Sequence, residues 1–255
     1  RGGVLFKGCA ALETLADVQT FAFDKTGTLT TGKAEVTTIV PLALPEDELL
    51  ELLAGIESDS EHPIADAIRR AAALRALTPA PVSAVRAHPS EGITGEDATG
   101  GIWAGNPRMA RRMGAAIDDP RLDGLVAASE TVVYLGRGSR LLGAVAVADR
   151  PRETSRAGIE ALRGAGVRHI AIMTGDRRPV ALRIAESLGI GPDEVHADLL
   201  PEDKVRLVDE LARDGKVAFV GDGVNDAAAL ARSDVGIAMG AAGSEVALQA
   251  AEVAL

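Results

Sequence analysis

The stretch Val18-Gln19-Thr20-Phe21-Ala22-Phe23-Asp24-Lys25-Thr26-Gly27-Thr28-Leu29-Thr30 decides how the rest of the chain is read. Residues 18–23 form an apolar run with the length and content of a strand buried in a parallel sheet. An aspartate at the carboxyl end of such a strand stands on the rim where open α/β sheets bind their ligands. Three later apolar runs end in the same way: 143–148 at Asp149, 170–173 in Thr174-Gly175-Asp176, and 217–220 in Gly221-Asp222-Gly223-Val224-Asn225-Asp226. Laid side by side, such strands bring their polar ends to one crevice. That convergence is the first expectation.

Composition bounds the rest. The chain has 255 residues, 47% of them apolar and only 2% aromatic, so Ala, Val, Leu and Ile must fill its core. A formal charge of −10 argues against nucleic acid or an anionic membrane as a general partner. An anionic substrate must therefore be held by local lysines, arginines and backbone N–H groups. Cys9 is the single cysteine, which excludes an internal disulfide and a cysteine-built zinc site. His62, His88, His169 and His196 lack metal-ligand spacing. No signal peptide or bilayer-length apolar run is visible, so the chain by itself reads as soluble and suited to a reducing compartment. It opens on Arg1 rather than Met and stops in mid-pattern at Ala254-Leu255; the expectation is a segment of a longer protein.

The character of the chain changes twice. After the rim loop, residues 34–40 alternate like a sheet strand, Glu46–Ile56 reads as an amphipathic helix, and Ser60-Glu61-His62-Pro63 opens another helix running to about residue 77. Residues 79–147 are rich in turn signals, with short strand candidates at 101–104, 131–135 and 141–147, which predicts a small α+β domain with an antiparallel sheet. From Asp149 a regular β-α alternation takes over. Helices are predicted at 153–163, 179–188, 201–213 and 225–232, and strands at 167–173, 216–220 and 234–239. The predicted architecture is a doubly wound parallel sheet built from residues 1–33 and 148–255, interrupted by an inserted domain at 34–147.

Asp24 is a candidate nucleophile, because a carboxylate can attack a phosphoryl group in line and hold it as an acyl phosphate. The following loop, residues 25–28, then offers N–H groups and hydroxyls to phosphoryl oxygens. A bare Asp-x-x-Gly is also an ordinary turn; the full run 24–30 behind an apolar strand is the more specific signal.

That run resembles the phosphorylation signature of P-type ATPases over its whole length. Thr174-Gly175-Asp176 and Gly221-Asp222-Gly223-Val224-Asn225-Asp226 are similar to the family's other two cytoplasmic motifs, in the family's order. The resemblance implies a phosphorylation domain of haloacid-dehalogenase-like fold with an inserted nucleotide-binding domain. It implies that Asp24 takes the γ-phosphoryl of ATP. Mg²⁺ is then held by Asp24, Asp222 and the backbone carbonyl of Thr26, with Asp226 and Asn225 closing the metal side. Thr28 and Thr174 would donate hydroxyls to the phosphoryl group, and Lys204 would balance its charge. Gly175 and Asp176 fall to the nucleotide side or a hinge. The plainer alternative for Lys204 is one charge on a solvated helix face. Thr26 stands where free phosphatases of this fold carry a second aspartate for hydrolysis, so the resemblance implies a long-lived acyl phosphate.

Ser60-Glu61-His62-Pro63 is similar to the motif with which heavy-metal-transporting P-type ATPases place a histidine against the adenine end of ATP, and Glu57 matches its companion glutamate. The family's glycine pair and Gly-Asn correspond to Gly92, Gly105 and Asn106, although Ser90 replaces the first glycine and puts nucleotide affinity in question. The same glycines are also ordinary hairpin punctuation. Asp149-Arg150-Pro151-Arg152 resembles the re-entry into the phosphorylation domain, with Glu153 where a second proline is common. The lead-in 2–8 resembles the exit from a membrane helix, and the tail 239–246 looks more like zinc, cadmium or cobalt exporters than copper exporters. The resulting expectation is the ATP-binding, aspartyl-phosphate-forming part of a heavy-metal P-type ATPase. Its implied partners are that protein's own membrane helices and actuator domain, and the fragment itself is expected to be monomeric. The alternatives are a free-standing phosphatase or phosphotransferase of the same fold, and a non-catalytic nucleotide-binding module.

Overall fold

The computed structural model describes residues 3–128, 131–223, 225–240 and 249–255, without the side chains of 126–128. The tail reading at 239–246 and the Val224 position of the third motif therefore lie partly or wholly outside the described residues, as does Gly2 of the lead-in. The chain divides into two compact units: Arg1–Lys33 with Arg150–Leu255, and Ala34–Asp149. The second boundary is predicted at 147/148, whereas in the structure the strand Arg140–Pro151 carries through it.

The first unit is built on a sheet whose strands run, edge to edge, Leu5–Phe6, Val253–Ala254, Val235–Ala238, Lys216–Gly221, Val18–Asp24, His169–Met173 and Val195–His196. All neighbours pair in parallel except Leu5–Phe6, which is antiparallel to Val253–Ala254. Alternation along the central strands feeds two cores. Phe21, Phe23, Ile170, Ile172 and Val220 pack on one face, while Ala22, Ala171, Met173, Val217 and Phe219 pack on the other. Burial on both faces is why these strands read as continuous apolar runs. From Val18–Asp24 the chain first builds outward to one edge, then returns to Lys216–Gly221 on the other side. The gap between those two strands is the topological switch point, where ligands bind in such sheets.

The second unit holds the antiparallel strands Ser83–His88, Gly92–Asp97, Gly100–Gly105, Thr131–Arg137 and Arg140–Pro151, in that spatial order, with Thr30–Pro41 beyond the last. The helices Glu46–Ile56 and Pro63–Leu74 cover one face through Leu49, Leu53 and Ile68. Trp103, Tyr134, Met109 and Leu122 form a second core on the other.

One expectation is overturned here. The run 143–148 does not join the parallel sheet, and Asp149 is not one of the aligned strand ends. Residues Thr131–Arg137 and Arg140–Pro151 are the arms of a hairpin turned at Gly138, whose φ is +53°. This antiparallel strand reads like a parallel one because cores lie on both of its faces: Val145 and Val147 belong to one, Ala144 and Ala146 to the other. The short strands Leu5–Phe6, Val195–His196 and Val253–Ala254 and the helix Pro107–Arg112 carry too little periodicity to be read from sequence.

Candidate functional site

Asp24 ends the central strand. It pairs in register with Met173, the residue before Thr174, while Phe23 pairs with Val220, two residues before Asp222. The three remaining polar strand ends are thus level at the switch point. They line one cavity of about 290 Å³ in the first unit, with Thr26, Gly175, Asp176, Lys204 and Asn225.

Residues Lys25–Leu29 make a single wide turn rather than a continuing strand. Its reversal depends on Gly27, at φ +77°; a Cβ there would lie 2.8 Å from Asp222 Oδ2. Glycine is therefore needed both for the left-handed backbone and for the approach of Asp222 to the loop. Thr30 closes the turn, its hydroxyl donating to the Lys25 carbonyl at 3.0 Å and accepting from Gly27 N–H at 3.2 Å.

Lys204 comes from the helix Pro201–Leu211, whose start is capped by Asp203 Oδ2 on Leu200 N–H at 2.9 Å. Lys204 and Val208 are one turn apart and both buried, so this face meets the sheet with an aliphatic residue in the core and an ammonium at the rim. The Lys204 ammonium is 2.6 Å from Asp24 Oδ1 and 2.8 Å from Asp226 Oδ1. The solvated-face reading of Lys204 does not hold, since only 8% of the residue is exposed. Burial pushes the Asp24 carboxyl up to about 7, helped by the charge of Asp226 and opposed by Lys204. Burial works against the Lys204 charge, but Asp24 and Asp226 outweigh it and hold the lysine above its ordinary value. Asp226 Oδ2 and Thr28 Oγ1 are buried without a hydrogen-bond partner among the described residues.

The Thr174 hydroxyl donates to Asp176 Oδ2 at 3.1 Å and accepts from Asp176 N–H at 3.1 Å. Asp176 in turn meets the buried Lys25 ammonium at 2.6 Å. Two side chains without a predicted role thus tie this loop down: Lys25, which reaches from it to Asp176, and Arg152, which donates to its carbonyls. Lys25 lay inside a recognised motif, so its charge was a usable signal. Arg152 also lies in a recognised segment, 149–152, but it is 124 positions from its partner, and no local pattern announces that contact.

Among the described residues no three His, Cys, Asp or Glu side chains meet as a metal site. Asp24 and Asp222 nonetheless offer two hard carboxylates on one cavity. Such a pair fits a magnesium ion that completes its shell with backbone oxygen, water and phosphate.

The second unit has its own cavity of about 340 Å³, lined by Glu57, His62, Ser90, Gly92, Gly105 and Asn106 among others. His62 caps the helix Pro63–Leu74, its Nδ1 accepting from Ile64 N–H at 3.2 Å, which leaves Nε2 as the ring's donor. Burial raises the Glu57 carboxyl above its usual value, against the hydrogen bond from Ser60. A Cβ on Gly92 would stand 2.2 Å from the Ala104 carbonyl oxygen, and one on Gly105 would stand 2.4 Å from that of Glu91. These glycines let two strands and the residues before them touch. Ser90 takes the left-handed φ of +62° that glycine would accept freely. Asn106 is engaged by the protein itself: Oδ1 caps Arg108 and Met109 N–H, and Nδ2 donates to the Ser90 carbonyl at 2.8 Å. It shapes the wall rather than presenting a spare amide.

Residues 18–234 match the profile of the haloacid dehalogenase-like hydrolases. The copper-exporting P-type ATPase B of Archaeoglobus fulgidus is 40% identical over 255 residues, covering 100% of this chain and 36% of the relative. A crystal structure of a zinc-transporting PIB-type ATPase in its E2.Pi state superposes with a TM-score of 0.90 at 39% identity, over 99% of this chain and 41% of that one. The catalytic domain of a CPx-ATPase studied upon nucleotide binding matches with a TM-score of 0.70 at 28% identity, and 90% of that chain is covered. The chain thus spans about a third of the length of its curated relative. Among the described residues no helix is long and apolar enough to cross a membrane.

Proposed function

We propose a function for this chain from the premise that it belongs to the haloacid dehalogenase-like hydrolase family: it is the ATP-binding and self-phosphorylating region of a heavy-metal-transporting P-type ATPase. The observation that carries this reading is the buried Asp24–Lys204–Asp226 cluster at the switch point of the parallel sheet. Support comes also from whole-chain similarity to metal-transporting P-type ATPases.

Asp24 attacks the γ-phosphorus of ATP through a carboxylate oxygen. The bond to the bridging oxygen breaks, ADP leaves with the electron pair, and an acyl phosphate remains on Asp24. Lys204 stays within reach of the phosphoryl oxygens and offsets their charge in a water-poor pocket, where such a contact counts most. A magnesium ion, held by Asp24 and Asp222 with the Thr26 carbonyl, would neutralise charge on the transferring group. Asn225 lines the same cavity and keeps its wall polar, and Asp226 is held by Lys204. Thr26 offers no carboxylate to activate water, so this chain alone holds the phosphate. Hydrolysis falls to another part of the longer protein, as does the choice of metal ion. Glu57 and His62 are assigned to the adenine end of ATP, with Gly92 and Gly105 allowing close approach. The free-phosphatase alternative gains nothing from Thr26 or from the inserted unit.

The test is incubation with γ-labelled ATP and Mg²⁺ followed by an acid quench. Hydroxylamine-sensitive label on the wild type and none on Asp24→Asn is the expected result. Label retained by Asp24→Asn would sink the nucleophile assignment, and fast turnover of small phosphate esters would favour the phosphatase.

A further inference from the structure

The loop that carries Asp24 is gripped from behind by one short segment. Arg152 Nε donates to the Thr28 carbonyl at 3.0 Å, and its Nη2 donates to the Gly27 carbonyl at 2.7 Å. The N–H of Arg152 donates to the Leu29 carbonyl at 2.9 Å, and the Ser155 hydroxyl donates to the same oxygen at 2.8 Å. Three consecutive carbonyls of one loop take four donors from residues 123 to 126 positions later.

The geometry has a specific consequence. Each peptide is planar with its C=O and N–H on opposite sides, so a fixed carbonyl fixes the direction of the next N–H. One guanidinium holds the plane before Thr28 and the plane after it, which together set φ and ψ at that residue. A planar fork does this where a point-like ammonium cannot. The Thr28 hydroxyl is also buried, at 3% exposure, with no hydrogen-bond partner among the described residues. Buried hydroxyls are hydrogen-bonded as a rule, so an exception on a braced residue four positions from Asp24 points to a ligand oxygen as its missing partner.

We propose that Arg152 is a positioning residue for phosphoryl transfer, setting the peptide planes around Thr28 so that its hydroxyl and N–H meet the phosphoryl group on Asp24. The proposal rests on the reading of Asp24 as phosphate acceptor. It concerns Arg152 acting through Thr28, without contact to the substrate.

Beryllium trifluoride with Mg²⁺, a mimic of the acyl phosphate, tests both layers when followed by ¹⁹F NMR on the whole chain, with trinitrophenyl-ATP as a separate probe of nucleotide binding. Arg152→Ala is expected to weaken the fluoride complex by about tenfold or more and to shift its resonances, the scale on which removed supports usually act. Trinitrophenyl-ATP affinity should stay within about twofold, as for distant sites. Free guanidinium at millimolar level should restore part of the loss. Arg152→Lys keeps the charge without the fork and should remain weakened; it carries the test if the alanine variant does not fold. Wild-type affinity and unshifted resonances in these variants would overturn the proposal, as would parallel loss of fluoride-complex and nucleotide binding, the mark of a general prop. A wild type that fails to bind the complex, or an Asp24→Asn variant that binds it equally well, would instead sink the Asp24 reading and the brace with it.

Discussion

The two cavities of this chain are built on opposite principles. The one beside Asp24 is organised by charge: two carboxylates share one buried ammonium, and two buried oxygen atoms have no hydrogen-bond partner among the described residues. The one beside His62 is organised by shape: glycines that admit no Cβ press strands and loops together, and the polar atoms of Asn106 are spent on the wall. A charged transferring group needs fixed counter-charges in a dry pocket. A flat base needs a slot with few polar anchors. Each cavity has the construction its proposed ligand part requires.

The largest effect that could break this contrast is at Lys204. Lys204→Met should lower acyl-phosphate formation by about a thousandfold, the upper range for losing one preorganised donor. It should also destabilise the chain by about 3 kcal/mol, because Asp24 and Asp226 are left buried together; phosphorylation assays and thermal melts read the two. Nucleotide affinity should be nearly unchanged, and a matching fall would join the cavities into one system. Next in size, Gly92→Ala should cost about 2 kcal/mol in melting experiments, the usual penalty for overpacking. It should weaken trinitrophenyl-ATP binding while the beryllofluoride complex survives.

A smaller effect sharpens the picture of the second unit. Arg137 grips Asp97 with two hydrogen bonds of 2.9 and 2.6 Å, which holds the Asp97 carboxyl well below the usual carboxylate range. A depressed folded value contributes fully above the unfolded one, near about pH 4, and is lost as the pH falls below it. Arg137→Gln should therefore cost about 1 kcal/mol at neutral pH and flatten the acid limb of a melting-against-pH curve. A parallel offset at all pH values would contradict the ion-pair account. The smallest change is Ser90→Gly, which relieves the φ of +62°. A net gain of about 0.5 kcal/mol is expected once the looser unfolded chain is counted, with unchanged or slightly tighter nucleotide binding by titration.

Much of the fold is legible in the sequence, for physical reasons that can be named. Strands 18–23, 170–173 and 217–220 are covered on both faces, so each announces itself as an apolar run ending in polar residues. The run 143–148 sends the same signal from a different sheet, because two-sided burial and not parallel pairing produces it. Asp24 and Asp222, which line one cavity, stand out as candidates in the sequence because their motifs are contiguous. The Arg152 grip and the Lys25–Asp176 pair join distant positions through tertiary geometry, and propensity and periodicity do not encode such meetings.

The aromatic cores described above separate the units in another sense. Trp103 and Tyr134 are the chain's single tryptophan and tyrosine, and both are buried in the unit Ala34–Asp149. The phenylalanines Phe6, Phe21, Phe23 and Phe219 all belong to the other unit, which is nearly silent in intrinsic emission. Tryptophan fluorescence of the unmodified chain is thus a reporter of the inserted unit alone, whereas far-ultraviolet dichroism sums over both. Two denaturation curves recorded on one sample would show whether the units melt together or in sequence.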